Sequence, residues 1–213
     1  FYAAPGEVVV VEVPEEWTHL GLKIEISGHR DNIPLKKNLV RTPRSPSRTF
    51  PVNQVRTEVA AAYGGALYVD TGSTPIDIEP FLVSFENALP APTFVRGQTT
   101  VNDWQHTQRK HPAPYAEFVG ENVAISFPSA WIRELNDPGP LMEYWDGVVG
   151  LHDELGGYTK LRKMPERINV DCQISAGLFH AGYLTQGPQS QCRGVVDLDR
   201  LKSTGNWGWF HEL

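Results

Sequence analysis

The period of the hydrophobic pattern changes part-way along the chain, and that change limits the folds open to it. Up to about residue 90 the apolar residues repeat every second position. Leu20, Leu22, Ile24 and Ile26 share one face of a strand. Residues 7–13 are β-branched and stop at Pro14; 65–70 and 81–85 are further short strands between Gly, Pro, Ser and Thr. Beyond Pro90 and Pro92 the period becomes helical. Behind Pro138, the residues Leu141, Met142, Trp145, Val148, Val149, His152 and Leu155 fall on one stripe that Gly156 and Gly157 close. The pattern predicts an α+β chain: a β-sandwich-like N-terminal subdomain over 1–95, then a mixed subdomain over 96–213.

Local signals fill in the second half. Thr100 caps a helix over 101–110 that Pro112 stops, and strands over 116–119 and 123–127 flank a turn at Gly120. A short helix follows over 129–135, a strand over 167–174, and a helix over 198–203 capped by Asp197 and closed by Gly205. On the long helix the stripe predicts Trp145, Val148, Val149 and Leu155 buried, His152 in the core, and Glu143, Asp146 and Asp153 exposed. The basic stretch 36–48 reads as a solvated loop.

Composition excludes several classes. The 213 residues carry 19 Lys and Arg against 25 Asp and Glu, a net charge of −6, which argues against a nucleic-acid binder. No apolar run is long enough for a transmembrane segment. Two cysteines, Cys172 and Cys192, are either one disulfide closing a loop or two thiols, so the redox compartment stays open. Of the seven histidines, His106 and His111 read as surface residues, and His29 with Asp31 reads as a turn held by side-chain hydrogen bonds.

The last residues differ. After the stop at Gly205, the stretch 206–213 starts a new helix and ends His211-Glu212-Leu213. In an H-E-x-x-H zinc motif the two His share a helix face and bind the metal, and the Glu takes a proton from the metal-bound water. A bare His-Glu pair says little, but its surroundings say more. The run Gly205-Asn206-Trp207-Gly208-Trp209-Phe210-His211-Glu212-Leu213 resembles the G-x-W-G-x-F-H-E-L-G-H stretch of the enhancin-like zinc metallopeptidases, a gluzincin family of viral enhancins and mucin-cleaving bacterial enzymes. Four more stretches are similar, in the same order. They are Tyr2 to Val9 (Y-A-P-P-G-E-x-V), Ile26 to Asn32 (I-G-x-H-T-D-N), Gly64 to Val69 (G-G-L-L-Y-I) and Pro165 to Tyr183 (P-E-R-I-V-A-D-V-Q-I-S-A-G-W-M-H-S-G-Y). Cys172 stands where the family has Val, and Leu178-Phe179 where it has Trp-Met.

The resemblance implies a β-sandwich-like subdomain followed by the start of a gluzincin-type catalytic subdomain. It implies zinc-dependent hydrolysis of peptide bonds in O-glycosylated, mucin-like proteins by the intact protein. His211 would be the first zinc ligand and Glu212 the general base. The strand over 168–174 would be the edge that pairs with substrate and bounds the cleft His211 faces, with His180 and Tyr183 lining it. Peptide or glycoprotein substrates and glycans are the implied partners, and an extracellular or cell-surface location is expected ahead of a cytoplasmic one. A catalytic zinc needs three protein ligands, and this fragment offers one, so no zinc and no activity are expected of these residues alone. The resemblance extends to the TRP-channel-associated factors, animal relatives whose zinc motif can be degenerate, so a non-catalytic binding protein on the same fold is the alternative.

Overall fold

The computed structural model describes residues 1–29, 40–41, 46–72, 79–159, 161–162, 164–174, 178–182 and 184–213. Asp31, Tyr183 and most of the basic stretch lie outside them. The chain divides into two compact units: one runs from Phe1 to Pro90 without a segment that includes Val40 and Arg41, the other joins that segment to Ala91–Leu213.

Among the described residues of the first unit the period-two pattern becomes seven strands: β1 (Tyr2–Ala3), β2 (Val9–Glu12), β3 (Lys23–Ile26), β4 (Arg48–Pro51), β5 (Arg56–Val59), β6 (Gly65–Asp70) and β7 (Ser84–Glu86). They form two antiparallel sheets, ordered β1-β6-β3-β4 and β5-β2-β7. Val9, Val11 and Val59 from one sheet share a core with Ile24, Ile26 and Leu67 from the other, as a sandwich requires. The strands are shorter than the alternation suggests. After Pro14 the chain makes a 3-10 turn at Glu15–Trp17, so Leu20 is exposed and β3 opens at Lys23.

The second unit holds strands β8 (Thr93–Val95), β9 (Tyr115–Val119), β10 (Val123–Pro128), β11 (Glu166–Asp171) and β12 (Thr185–Pro188). Its helices are α1 (Val101–His106), α2 (Gly139–Gly156), α3 (Arg193–Val196), α4 (Leu198–Thr204) and α5 (Trp207–Glu212). The sheet order is β12-β11-β10-β9-β8; β10, β11 and β12 run parallel and β9 runs antiparallel to β10. Val123, Ile125, Phe127, Ile168 and Val170 project from one face of this sheet into a core shared with Leu141, Met142, Trp145 and Val149 of α2. Thr100 caps α1 by accepting from the Asp103 amide at 3.1 Å, but α1 stops at His106 and a 3-10 turn takes over at Gln108–Lys110. Gly157, at φ 73°, ends α2 in the left-handed conformation that glycine adopts without strain.

The buried face of α2 is rotated from the expected stripe. Trp145 and Val149 are buried and Val148 is half-buried, but Leu155 is 89% exposed and His152 sits half-exposed instead of in the core. Glu143 is exposed, whereas Asp146 and Asp153 are buried. Each carboxylate carries its own donors, and these offset the cost of removing it from water. Asp146 accepts from Arg96 at 2.9 Å and from the Asn122 amide at 2.8 Å. Gly120 leaves the room: a Cβ there would fall 2.6 Å from Asp146 Oδ2. Asp153 takes a two-pronged contact from Arg162, at 2.6 and 2.7 Å, and Arg162 also reaches Glu166 at 3.2 Å. That contact holds the Asp153 carboxyl below its ordinary value.

Both cysteines are free thiols, so the loop between them is not closed by a disulfide. Cys192 is fully buried, and burial pushes its thiol up to about 12. Cys172 is exposed at the surface, though surrounding protein and the Asp171 carboxylate raise its thiol to about 11.

Trp145 fills the centre of this core and donates its indole N–H to the Val195 carbonyl at 2.9 Å. Trp145→Ala is expected to cost about 3–5 kcal/mol in denaturant unfolding of this unit, while Leu155→Ala stays within about 0.5 kcal/mol. Arg162→Gln leaves Asp153 buried with fewer donors and should cost about 2–4 kcal/mol at neutral pH. Because the folded carboxyl titrates below the unfolded one, this stabilisation is complete above the unfolded value, about 3.9. It disappears as pH falls through the folded value, so the gap between wild type and variant narrows in acid; a gap that widens below pH 4 contradicts the assignment. Mass mapping after alkylation is expected to find Cys172 modified in the native protein and Cys192 only after unfolding.

Candidate functional site

The C-terminal helix is built by a stop, a cap and an anchor. Gly205, at φ 64°, ends α4. Asn206 then caps α5, accepting from the Trp209 amide at 3.4 Å, and its own amide donates to the Gly194 carbonyl at 3.4 Å. Trp209 is the anchor. It is fully buried, donates its indole N–H to the Gln191 carbonyl at 3.4 Å and lies 4.6 Å from the Phe179 ring. Phe210 packs edge-on against Trp145 at 5.7 Å. With that face committed to the core, Trp207 and His211 are exposed on the opposite one. Their rings stack at 4.5 Å and 16°, one helical turn apart. Glu212 is half-buried, and its carbonyl accepts from the Thr185 hydroxyl of β12 at 3.2 Å.

That last bond places the helix against β12, one strand further out than expected. The strand over 168–174 is not the sheet edge: β11 is hydrogen-bonded to β10 on one side and β12 on the other, so it has no free side to offer a substrate. The outermost described backbone is at His180, whose amide donates to the Gln186 carbonyl at 3.0 Å and whose carbonyl accepts the Gln186 amide at 3.1 Å. His180 and the His211-Glu212 pair are therefore both carried by elements attached to β12. Tyr183 lies outside the described residues.

The other face of this sheet is polar. Arg167 pairs with Glu117 at 2.6 Å, Ser126 donates to Glu117 at 2.7 Å, and Asn169 donates to Gln186 at 3.2 Å. At the end of β11, Asp171 receives the Arg41 guanidinium, and Gln173 accepts the amides of Val40 and Arg41 at 2.8 and 3.1 Å. Within the basic stretch, Arg41 is thus pinned to the sheet instead of standing in solvent, while Val40 beside it stays exposed. An acid closing a strand in which polar and apolar residues alternate, and one arginine among five cations, were the only hints of this contact. Burial, reinforced by Asp171, raises the nearby Tyr115 hydroxyl above its ordinary value.

A cavity of about 600 Å³ opens between His152, Tyr158, Leu161, Met164 and Leu213, with Arg162, Asp153 and Glu166 on its wall. Its charges are already engaged with one another, and neither His211, Glu212 nor His180 lines it. His106 is exposed and His111 half-buried. Among the described residues no group of three His, Cys, Asp or Glu side chains is placed to hold a metal ion. The donor chemistry at the end of α5, an exposed imidazole followed by a carboxylate on one anchored helix, fits one corner of a zinc site and not a whole one.

Comparison with known proteins agrees with this architecture. Residues 87–213 match the family model for peptidase M60, enhancin and enhancin-like proteins, and residues 1–85 match the N-terminal domain of M60-like peptidases. The chain is 34% identical over its whole length to a TRPM8 channel-associated factor homolog of Xenopus laevis and spans 23% of that protein. In fold it is similar to a metallopeptidase solved in complex with Tn antigen, with a TM-score of 0.75 at 15% identity over 99% of this chain and 40% of that one. It is also similar to the catalytic module of the metalloprotease ZmpA from Clostridium perfringens, with a TM-score of 0.70 at 13% identity over 99% and 46%. An α+β chain with a sandwich unit, a mixed five-stranded unit and both models in sequence belongs to the enhancin and enhancin-like M60 peptidase family.

Proposed function

We propose that this chain carries the substrate edge and the first part of the active-site helix of a zinc-dependent peptidase acting on O-glycosylated, mucin-like proteins. The observation that carries the reading is the end of α5. A capped helix anchored by Trp209 turns His211 outward, and both it and the His180 backbone are attached to β12. In the longer protein His211 would be one zinc ligand, with the others supplied from outside these residues. Zinc, when bound, supplies a Lewis acid and an acidified water.

The chain's own residues do the rest. Trp207 lies flat against the His211 ring and limits its rotation. Glu212 follows on the same helix as the carboxylate that takes a proton from the attacking water and returns it to the leaving amine. Its backbone is tethered to Thr185, which holds the helix end in place against β12. His180, its backbone N–H and C=O both paired with Gln186, fixes the outer rim to β12 and contributes a ring there for an extended peptide or its glycan. Supporting the glycan is the Tn antigen held by one metallopeptidase of the same fold. An extracellular or cell-surface site of action accords with such substrates.

A second reading has its own support: the 34% identity to a TRPM8 channel-associated factor homolog favours a binding protein that engages a channel without catalysis. Zinc content and proteolysis separate the two. In the full-length protein His211→Ala is expected to lose bound zinc. Glu212→Gln is expected to retain zinc and to lose cleavage of a mucin-type glycoprotein by about 10²-fold or more. A full-length protein that binds no zinc and cleaves nothing removes the peptidase reading and leaves the channel-binding one.

A further inference from the structure

Phe179 stands directly before His180, between the active-site helix and the sheet edge. Among the described residues of 178–182 it is the one whose side chain packs against the core; Leu178, Ala181 and Gly182 are exposed. Its ring enters a space that two glycines keep open, one on each element. A Cβ on Gly187 of β12 would fall 2.9 Å from Phe179 Cδ1, and a Cβ on Gly208 of α5 would fall 2.7 Å from Phe179 Cδ2. The same ring lies against the anchor Trp209, which itself covers Gly187: the Cβ there would also come 2.6 Å from Trp209 Cζ2. One residue later His180 makes its reciprocal backbone pair with Gln186.

We propose that Phe179 is a positioning residue, a wedge seated by Gly187 and Gly208 that sets the outermost strand segment at His180 in register with the helix carrying His211 and Glu212. The functional half of this inference rests on the peptidase reading; the mechanical half does not. Neither glycine needs a positive φ, and Gly208 lies in a helix, where alanine is ordinarily preferred. Its missing side chain is explained by the close approach of Phe179. Without the wedge, the His180 segment keeps its two hydrogen bonds to β12 but loses its packing onto α5. An extended peptide pairing at that edge would then reach Glu212 and the scissile position less well aligned.

The experiment uses the full-length protein with Gly208→Ala, Phe179→Ala, Phe179→Leu and the double variant Gly208→Ala/Phe179→Ala. Hydrogen exchange is followed over residues 178–182. The wedge predicts that Gly208→Ala and Phe179→Ala each accelerate exchange at the His180 amide by about tenfold or more. Phe179→Leu should restore most of the protection. In the double variant Gly208→Ala should add nothing, because the ring it displaces is gone. Unchanged or slower exchange in Gly208→Ala, the result expected if only helix propensity matters, overturns the proposal, as does full additivity. Should Gly208→Ala not fold, Phe179→Ala against Phe179→Leu decides by the same readout. With activity present, KM should rise several-fold in Phe179→Ala with zinc content unchanged; zinc loss in that variant, or an unchanged KM, contradicts the positioning role. Absence of zinc and cleavage in the wild type removes the peptidase reading while the exchange data still judge the wedge.

Discussion

The burial of Trp209 is the constraint on which the candidate site depends. An indole this large can be taken out of water only if its N–H is satisfied and its surface is covered. The Gln191 carbonyl accepts the N–H, and Gly187, Phe179 and the shared core cover the ring. Once that face of α5 is fixed, helix geometry leaves little choice for the rest. Phe210 must meet Trp145, and Trp207 and His211 must point away. The orientation of the His-Glu pair is thus a consequence of core packing two residues earlier.

Charge follows a similar logic in the second unit. Among its described residues three carboxylates are buried, and each is met by an arginine: Asp146 by Arg96 and Asp171 by Arg41 from distant parts of the chain, Asp153 by Arg162 nine positions on. Such pairs cost desolvation and return it only when geometry is good, so their main effect is to penalise wrong arrangements of α2, β11 and the loops. The hairpin turn at Gly120 and Asn122 is tied to α2 by Asp146, which places β10 under the helix. Hydrophobic area sets how strongly the helix is held, and the paired aspartates set its rotation.

The same fold serves peptidases and proteins named for channel association, so architecture alone does not separate chemistry from binding. What distinguishes them is local. An exposed histidine followed by a glutamate, at the end of an anchored helix beside a sheet edge, is an arrangement with a chemical use.

Much of this was written in the linear pattern. Period-two alternation with Gly and Pro punctuation sufficed for the sandwich unit. Thr100, Asp197, Gly157 and Gly205 marked helix ends because caps and stops act within a few residues. The ordered motifs from Tyr2 to Leu213 were enough for the family. The edge of the sheet was not legible, because whether β11 or the His180 segment lies outermost depends on pairing across the chain. The rotation of α2 was missed for a related reason. A stripe of apolar residues cannot report that Asp146 and Asp153 find arginines 50 and 9 positions away, and a buried carboxylate is tolerated only through such partners. Gly187 and Gly208 looked like ordinary glycines until tertiary packing set one aromatic ring against both, since a missing Cβ acquires meaning only from the atom that takes its place.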